Sequence, residues 1–170
     1  MGTVFVVGPG RSAGESGGMN PIRATEAETL TDGPGSRITL LTDTGALTSN
    51  RATFDPGATG APPHFHTKAT EVFFVLGGRL QVLLDDRVFT LTEGDFLAVP
   101  PRVPHAFAPE AGASADVLVT FTPGMDRFGY YRLLDRVNRG EADVREIRES
   151  QERYDNRYVD SPLWRAARGD

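Results

Sequence analysis

Between Arg37 and Thr122 the chain breaks into short apolar or alternating runs, each bounded by turn residues, and none of them carries a helical period. The runs are Arg37–Leu41, Thr48–Phe54, Glu71–Leu76, Arg79–Leu84, Arg87–Leu91, Phe96–Val99, His105–Ala108 and Ala115–Thr122. Asp85-Asp86 closes one hairpin, and Asp32-Gly33-Pro34-Gly35 and Glu93-Gly94-Asp95 turn the chain elsewhere. A strand that buries one face needs a second layer to cover it, so strands this short and this frequent specify an all-β sandwich or barrel. The 12 prolines fall mainly in turns and strand starts, where a missing N–H does least harm.

One stretch within this pattern carries chemistry: Pro63-His64-Phe65-His66-Thr67-Lys68-Ala69-Thr70-Glu71. In extended chain His64 and His66 point the same way and Phe65 the opposite way. Glu71 opens the apolar run Val72–Leu76, and Phe73 and Val75 share its parity, as Phe107 shares that of His105. The chain has only three histidines, and all of them fall in these two β segments. Imidazoles and a carboxylate facing a cavity of aromatic and aliphatic groups suit a divalent metal of intermediate softness. The competing reading makes the histidines ordinary surface or core residues, with Glu71 paired to Lys68 or Arg79, and it requires this clustering to be coincidence. Lys68 is expected in solvent, and Asp85, Asp86, Glu93 and Asp95 are read as turn acids without chemistry.

Length and charge set the outer limits. The 170 residues suit one compact domain with a terminal appendage. A formal net charge of −5 argues against non-specific nucleic-acid binding, and the absence of cysteine confines any metal site to nitrogen and oxygen ligands. The apolar run Val4–Val7 is too short for a signal or a membrane span, so a cytoplasmic location is expected. Residues 1–21 are read as a flexible N-terminal extension with an edge strand at Thr3–Val7. A phosphate-binding loop at Gly8–Gly14 fails because no helix pattern follows it. Residues 22–123 are read as the barrel and 124–170 as a helical segment. In that segment Tyr130, Leu133, Leu134 and Val137 form one helix face that ends at Gly140. A second helix is expected over Ala142–Tyr154 with Val144 and Ile147 as its anchors. A short turn should start at Ser161-Pro162, with Trp164 as a packing anchor. From Asp126 to Arg157 eight arginines balance eight acids, which is unlike a DNA-reading helix pair.

The histidine stretch resembles the first motif of the cupin superfamily, Gly-x5-His-x-His-x3,4-Glu-x6-Gly. His64, His66, Glu71 and Gly78 match its spacing, while Ala58, flanked by Gly57 and Gly60, stands where the leading glycine belongs. Gly94, Pro100 and His105 match the second motif, Gly-x5-Pro-x-Gly-x2-His-x3-Asn. Arg102 replaces its second glycine and Pro109 its asparagine. The resemblance covers about Arg37 to Thr122. It implies a jelly-roll β-barrel with a C-terminal α-helical appendage, and it makes His64, His66, Glu71 and His105 the ligands of one divalent transition metal (Fe, Mn, Ni, Co or Zn).

Among cupins the chain is most similar to single-domain quercetinase-like dioxygenases, a likeness that extends to the tail from Pro123 to Phe128. This likeness implies a small enolic or aromatic substrate, dioxygen as co-substrate, and Glu71 as the general base. Phe73, Val75 and Phe107 would contact the substrate, Phe128 and Tyr131 would cover the barrel mouth, and the assembly would be a homodimer. A metal-dependent isomerase or cyclase on a sugar or polyketide, and a non-catalytic ligand-binding barrel, are the alternatives.

Overall fold

The computed structural model describes residues 21–169. The expected extension over 1–21, with its edge strand at Thr3–Val7, lies outside the described residues except for Pro21. The strands are β1 (Thr29–Gly33), β2 (Ser36–Asp43), β3 (Thr48–Phe54), β4 (Ala61–Phe65), β5 (Thr70–Leu84), β6 (Arg87–Thr92), β7 (Phe96–Val99), β8 (His105–Pro109), β9 (Ala115–Thr122) and β10 (Arg157–Tyr158). The helices are α1 (Arg127–Asn138), α2 (Val144–Glu149) and α3 (Pro162–Arg168). Every strand pairing is antiparallel, in the order β1-β2-β3-β9-β5-β8-β4-β10, with β6 and β7 also on β5. The strand pattern predicts a sandwich or barrel, and the structure is the jelly-roll barrel that the motif resemblance implies.

β5 holds the two halves together. The sequence suggests two strands, Glu71–Leu76 and Arg79–Leu84, but they form one continuous strand of 15 residues. Its first half pairs with β7 and β9, and its second half with β6 and β8. Gly77-Gly78 therefore bends the strand instead of ending it. Gly78 has φ 75°, and a Cβ there would meet the Ser114 carbonyl oxygen at 2.1 Å, so only glycine fits the bend.

The barrel interior holds Phe54, Phe73, Val75, Leu80, Val82, Val117, Val119 and Phe121, drawn from β3, β5 and β9. Phe73 and Phe121 are fully buried, each worth roughly 1.5–3 kcal/mol of apolar transfer. α1 lies against the face of β2 that also borders the cavity, where Tyr130, Tyr131 and Leu133 pack with Ile38 and Leu40. α3 covers another wall: Trp164 packs on Leu83, Ala106 and Ala108, and Ser161 caps the helix by accepting from the Trp164 N–H at 3.2 Å.

One strand goes unannounced in the sequence, and the second tail helix needs correction. β1 is an edge strand whose Thr31 N–H donates to Asp135 Oδ1 of α1 at 3.0 Å. Alternation is weak there because no residue of the strand is fully buried to mark one face. The second tail helix is only α2, six residues long, with Asp143 and Glu146 forming a capping box. Ile147 packs inward but Val144 is exposed, so one anchor holds it, and the chain after Ser150 turns toward the barrel.

The motif glycine replaced by Arg102 marks a position that requires the left-handed region. Arg102 adopts φ 69°, and its N–H donates to the His66 carbonyl at 2.6 Å. The turn is kept at a cost of roughly 1–2 kcal/mol for a side chain in that conformation. Part of this is offset by the extra entropy a glycine would carry in the unfolded chain. The Arg102→Gly variant is therefore expected to gain roughly 0.5–1 kcal/mol, a rise of about 2–4 °C per kcal/mol in Tm measured by circular dichroism. An unchanged or lower Tm would show that the arginine contributes contacts which outweigh its backbone cost.

Candidate metal centre and its cavity

β4, β5 and β8 bring the sequence-predicted ligands together. His64 and His105 stand opposite each other in the β4–β8 register. His66 follows β4 on the same side, and Glu71 enters from β5. All four are buried, with exposures of 3%, 2%, 2% and 1% for His64, His66, Glu71 and His105. Glu71 Oε2 lies 2.7 Å from His105 Nε2, 3.0 Å from His66 Nε2 and 3.9 Å from His64 Nε2. One ligand atom from each residue lies within 4.8 Å of every other.

The outer nitrogens decide what these inner atoms can do. His64 Nδ1 sits 2.7 Å from the Pro62 carbonyl, His105 Nδ1 2.9 Å from the Val103 carbonyl and His66 Nδ1 2.6 Å from the Asp155 carbonyl. A carbonyl only accepts, so each Nδ1 carries the hydrogen and each Nε2 keeps its lone pair. Three lone pairs and a carboxylate oxygen then face one another in a buried space. Acceptors alone cannot satisfy each other, whereas a cation satisfies all four. The cluster can hold a metal ion, and its nitrogen and oxygen donors fit the first-row divalent series from Fe to Zn. Burial, with the neighbouring His105 and His66, holds the His64 imidazole well below its ordinary pKa. Burial also pushes Glu71 up, but where a proton rather than a metal ion sits on the Nε2 of His105 or His66, hydrogen bonding outweighs burial and holds the carboxyl well below its usual range.

A cavity of about 260 Å³ opens beside the cluster, and His64 and Glu71 form part of its wall. Of the substrate contacts expected from sequence, Phe107 and Tyr131 line it. Phe73 and Val75 do not; they are fully buried in the barrel core, where the Phe73 and Phe107 rings meet edge-on with centroids 4.9 Å apart. Phe128 also lies outside the wall, packed in the cluster between α1 and β2. The wall is more polar than an apolar lining predicts: Asp32, Asn50, Arg127, Asn156 and Tyr158 contribute to it. Tyr131 donates to Asn50 Oδ1 at 3.1 Å, and burial pushes its phenol up to about 12.

Two residues that the sequence motifs do not mark shape this site. Arg127, the first residue of α1, is buried with its guanidinium against the rings of Tyr130, Phe121 and Tyr131 at 4.4, 4.9 and 5.1 Å. Asp155 has φ 47° and accepts from the N–H groups of Thr67 and Lys68 at 2.9 and 3.0 Å and from Thr67 Oγ1 at 2.7 Å. Its own carbonyl fixes His66. A sequence signal does exist for the other two imidazoles: each follows a proline, and each bonds the carbonyl of the residue before that proline. Nothing comparable announces Asp155, which lies 89 residues from its histidine.

Comparison with known proteins agrees with this architecture. A family profile described as "Cupin domain" matches residues 50–121, the segment that carries all four clustered residues. The barrel has the cupin fold. A 42-residue stretch is 36% identical to an uncharacterized protein of Methanocaldococcus jannaschii, covering 25% of this chain and 34% of that protein. The chain thus spans about a third of that relative's length. Among solved structures, KdgF from Halomonas sp. superposes with a TM-score of 0.59 at 23% identity, covering 64% of this chain and 97% of that one. The polyketide cyclase RemF from Streptomyces resistomycificus superposes with a TM-score of 0.54 at 23% identity, covering 62% and 80%. At such identities the likeness establishes the cupin fold alone. Among the described residues no helix is long and apolar enough to cross a membrane.

Proposed function

We propose that this protein is a metal-dependent enzyme acting on a small oxygen-bearing substrate in the cavity beside His64 and Glu71, and that the reaction is a dioxygenation of an enolic or aromatic compound. The observation that carries this reading is the tautomer pattern, which leaves three imidazole lone pairs and a carboxylate oxygen facing one another. When bound, a divalent metal supplies Lewis acidity toward a substrate oxygen and, for a redox-active ion, a route to dioxygen. The residues of the chain do the rest. The carbonyls of Pro62, Val103 and Asp155 orient the imidazoles with each Nε2 inward. Phe107 and the barrel core behind it exclude water, and Tyr131 and Asn50 offer polar contacts to the substrate. Glu71 lines the cavity, where its carboxylate can take a proton from the substrate.

Metal analysis of the purified protein, followed by a screen of flavonols and smaller enols under air and under nitrogen, tests this directly. Oxygen uptake that tracks substrate loss is the expected result. The Glu71→Gln variant should retain metal and lose turnover by about 10²-fold or more. Undiminished turnover would remove Glu71 as the proton acceptor. The polar wall supports a second reading, an isomerase or cyclase on a hydroxylated substrate, and equal turnover under nitrogen would select it. Metal retention and ligand binding without turnover of any substrate would select a non-catalytic binding barrel. A cytoplasmic homodimer is part of the same proposal; it is supported by Phe74 and Phe96, paired across β5 and β7 and 38% and 63% exposed.

A further inference from the structure

One buried guanidinium in the cavity wall has no task in the chemistry proposed for the metal centre. Arg127 is 4% exposed, yet among the described residues it takes part in no ion pair. Its Nη1 donates to Asn156 Oδ1 at 3.2 Å, and its Nε has no partner. The rings of Tyr130, Phe121 and Tyr131 hold the guanidinium in place, and the Tyr131 hydroxyl is a neutral partner for it, but none of them supplies a counter-charge. A buried charge of this kind is costly unless an anion arrives to meet it. The side chain lines the same cavity as His64 and Glu71, so the anion and the metal centre would share one space.

We propose that the substrate carries a carboxylate, bound by Arg127 at the α1 end of the cavity while the rest of the molecule extends toward the His64–His66–Glu71–His105 cluster. This rests on the reading of the cavity as the substrate pocket. The planar fork of a guanidinium matches a carboxylate through two parallel hydrogen bonds, and the free Nε is one of the two donors needed. A singly charged group fits better than a phosphate dianion, because two acids already share the wall. Glu71 is one of them. The other is Asp32, whose Oδ1 is buried without a partner and whose carboxyl burial pushes up toward the neutral form. That shift lessens the repulsion between Asp32 and a bound carboxylate. The cavity of about 260 Å³ admits a substrate the size of a single substituted ring or a short-chain acid.

Isothermal titration with benzoate, 3-hydroxybenzoate and 4-hydroxybenzoate, each against the matching benzamide, reads the preference directly. The shapes match within each pair, while the charge and one acceptor oxygen differ. In the metal-loaded protein the acids should bind at least about tenfold more tightly than the amides. Arg127→Gln and Arg127→Met should erase that preference with metal content unchanged, and Arg127→Lys should keep part of it. In the metal-poor His66→Ala variant the preference should persist, since Arg127 carries it. This separates the present proposal from the metal-centre reading: a protein that holds no metal but prefers acids through Arg127 sinks only the latter. Acids that bind no better than amides would overturn the proposal. So would a preference that survives Arg127→Gln or vanishes in His66→Ala, which would place the carboxylate on the metal. If the Arg127 variants fail to fold by circular dichroism, the wild-type and His66→Ala titrations still decide between these outcomes.

Discussion

Replacing His66 with alanine should leave the protein folded but holding less than about a tenth of the metal that the wild type holds. His66 Nε2 is one of four inward donors, and the remaining three cannot enclose a cation from its side. The barrel does not depend on that ring. Its core is the aromatic and aliphatic set from β3, β5 and β9, and every strand pairing is made by backbone groups that the substitution leaves intact. The metal-linked part of stability should disappear. A ligand present at about 1,000 times its Kd adds roughly 4 kcal/mol to the folded state. For a chain of this size that is a Tm increment of about 8–16 °C. Wild-type protein should therefore lose that increment on chelation, and His66→Ala should show none to lose. Elemental analysis and melting curves with and without chelator measure both quantities. A variant that keeps a full equivalent of metal would mean that the four donors do not act as one ligand set.

The gathering of His64, His66, Glu71 and His105 was readable in the sequence because strand alternation converts spacing into direction. His-x-His and Glu-x-Phe-x-Val put their odd or even members on one face whatever the details of the barrel. The strand pattern from Thr48 to Thr122 was readable for the same reason, and the cap at Ser161-Pro162 because its signal is local. Parity, however, reports a face and not a depth. Phe73 and Val75 share the inward face with Glu71, yet they sink into the core, and the cavity wall is completed by residues from other elements. Arg127, Asn156 and Tyr158 reach the cavity through α1 and β10, which the sequence marks only as an amphipathic, charge-balanced tail. A two-strand division of β5 fails at Gly77-Gly78 because a glycine pair signals a bend and a turn equally well. The edge strands β1 and β10 have too little buried face to write a period into their residues.

The tail is more than an appendage, and Asp155 is where that shows. Its carboxylate accepts three hydrogen bonds from Thr67 and Lys68, its carbonyl accepts the His66 Nδ1–H, and β10 immediately after it pairs with β4 across from His64. Asp155→Ala leaves two backbone N–H groups and a hydroxyl without their acceptor and forces alanine into φ 47°. Charge-assisted bonds of this kind contribute roughly 1.5–3 kcal/mol each but not additively, and the backbone adds about 1 kcal/mol. A net loss of roughly 3–5 kcal/mol is expected, a drop of about 10 °C or more in Tm. Metal affinity should fall about 10–100-fold, since the alanine carbonyl no longer sits on a fixed loop to orient His66. Asp155→Asn keeps one acceptor oxygen and tolerates the left-handed conformation, so it should recover much of both losses. Chelator competition and thermal melts on the two variants separate positioning from bulk stability. The positioning role requires affinity to fall in Asp155→Ala even well below its melting temperature and to return in Asp155→Asn. Wild-type affinity in the alanine variant would reduce Asp155 to a loop clamp, and the tail would then have no hold on the metal centre.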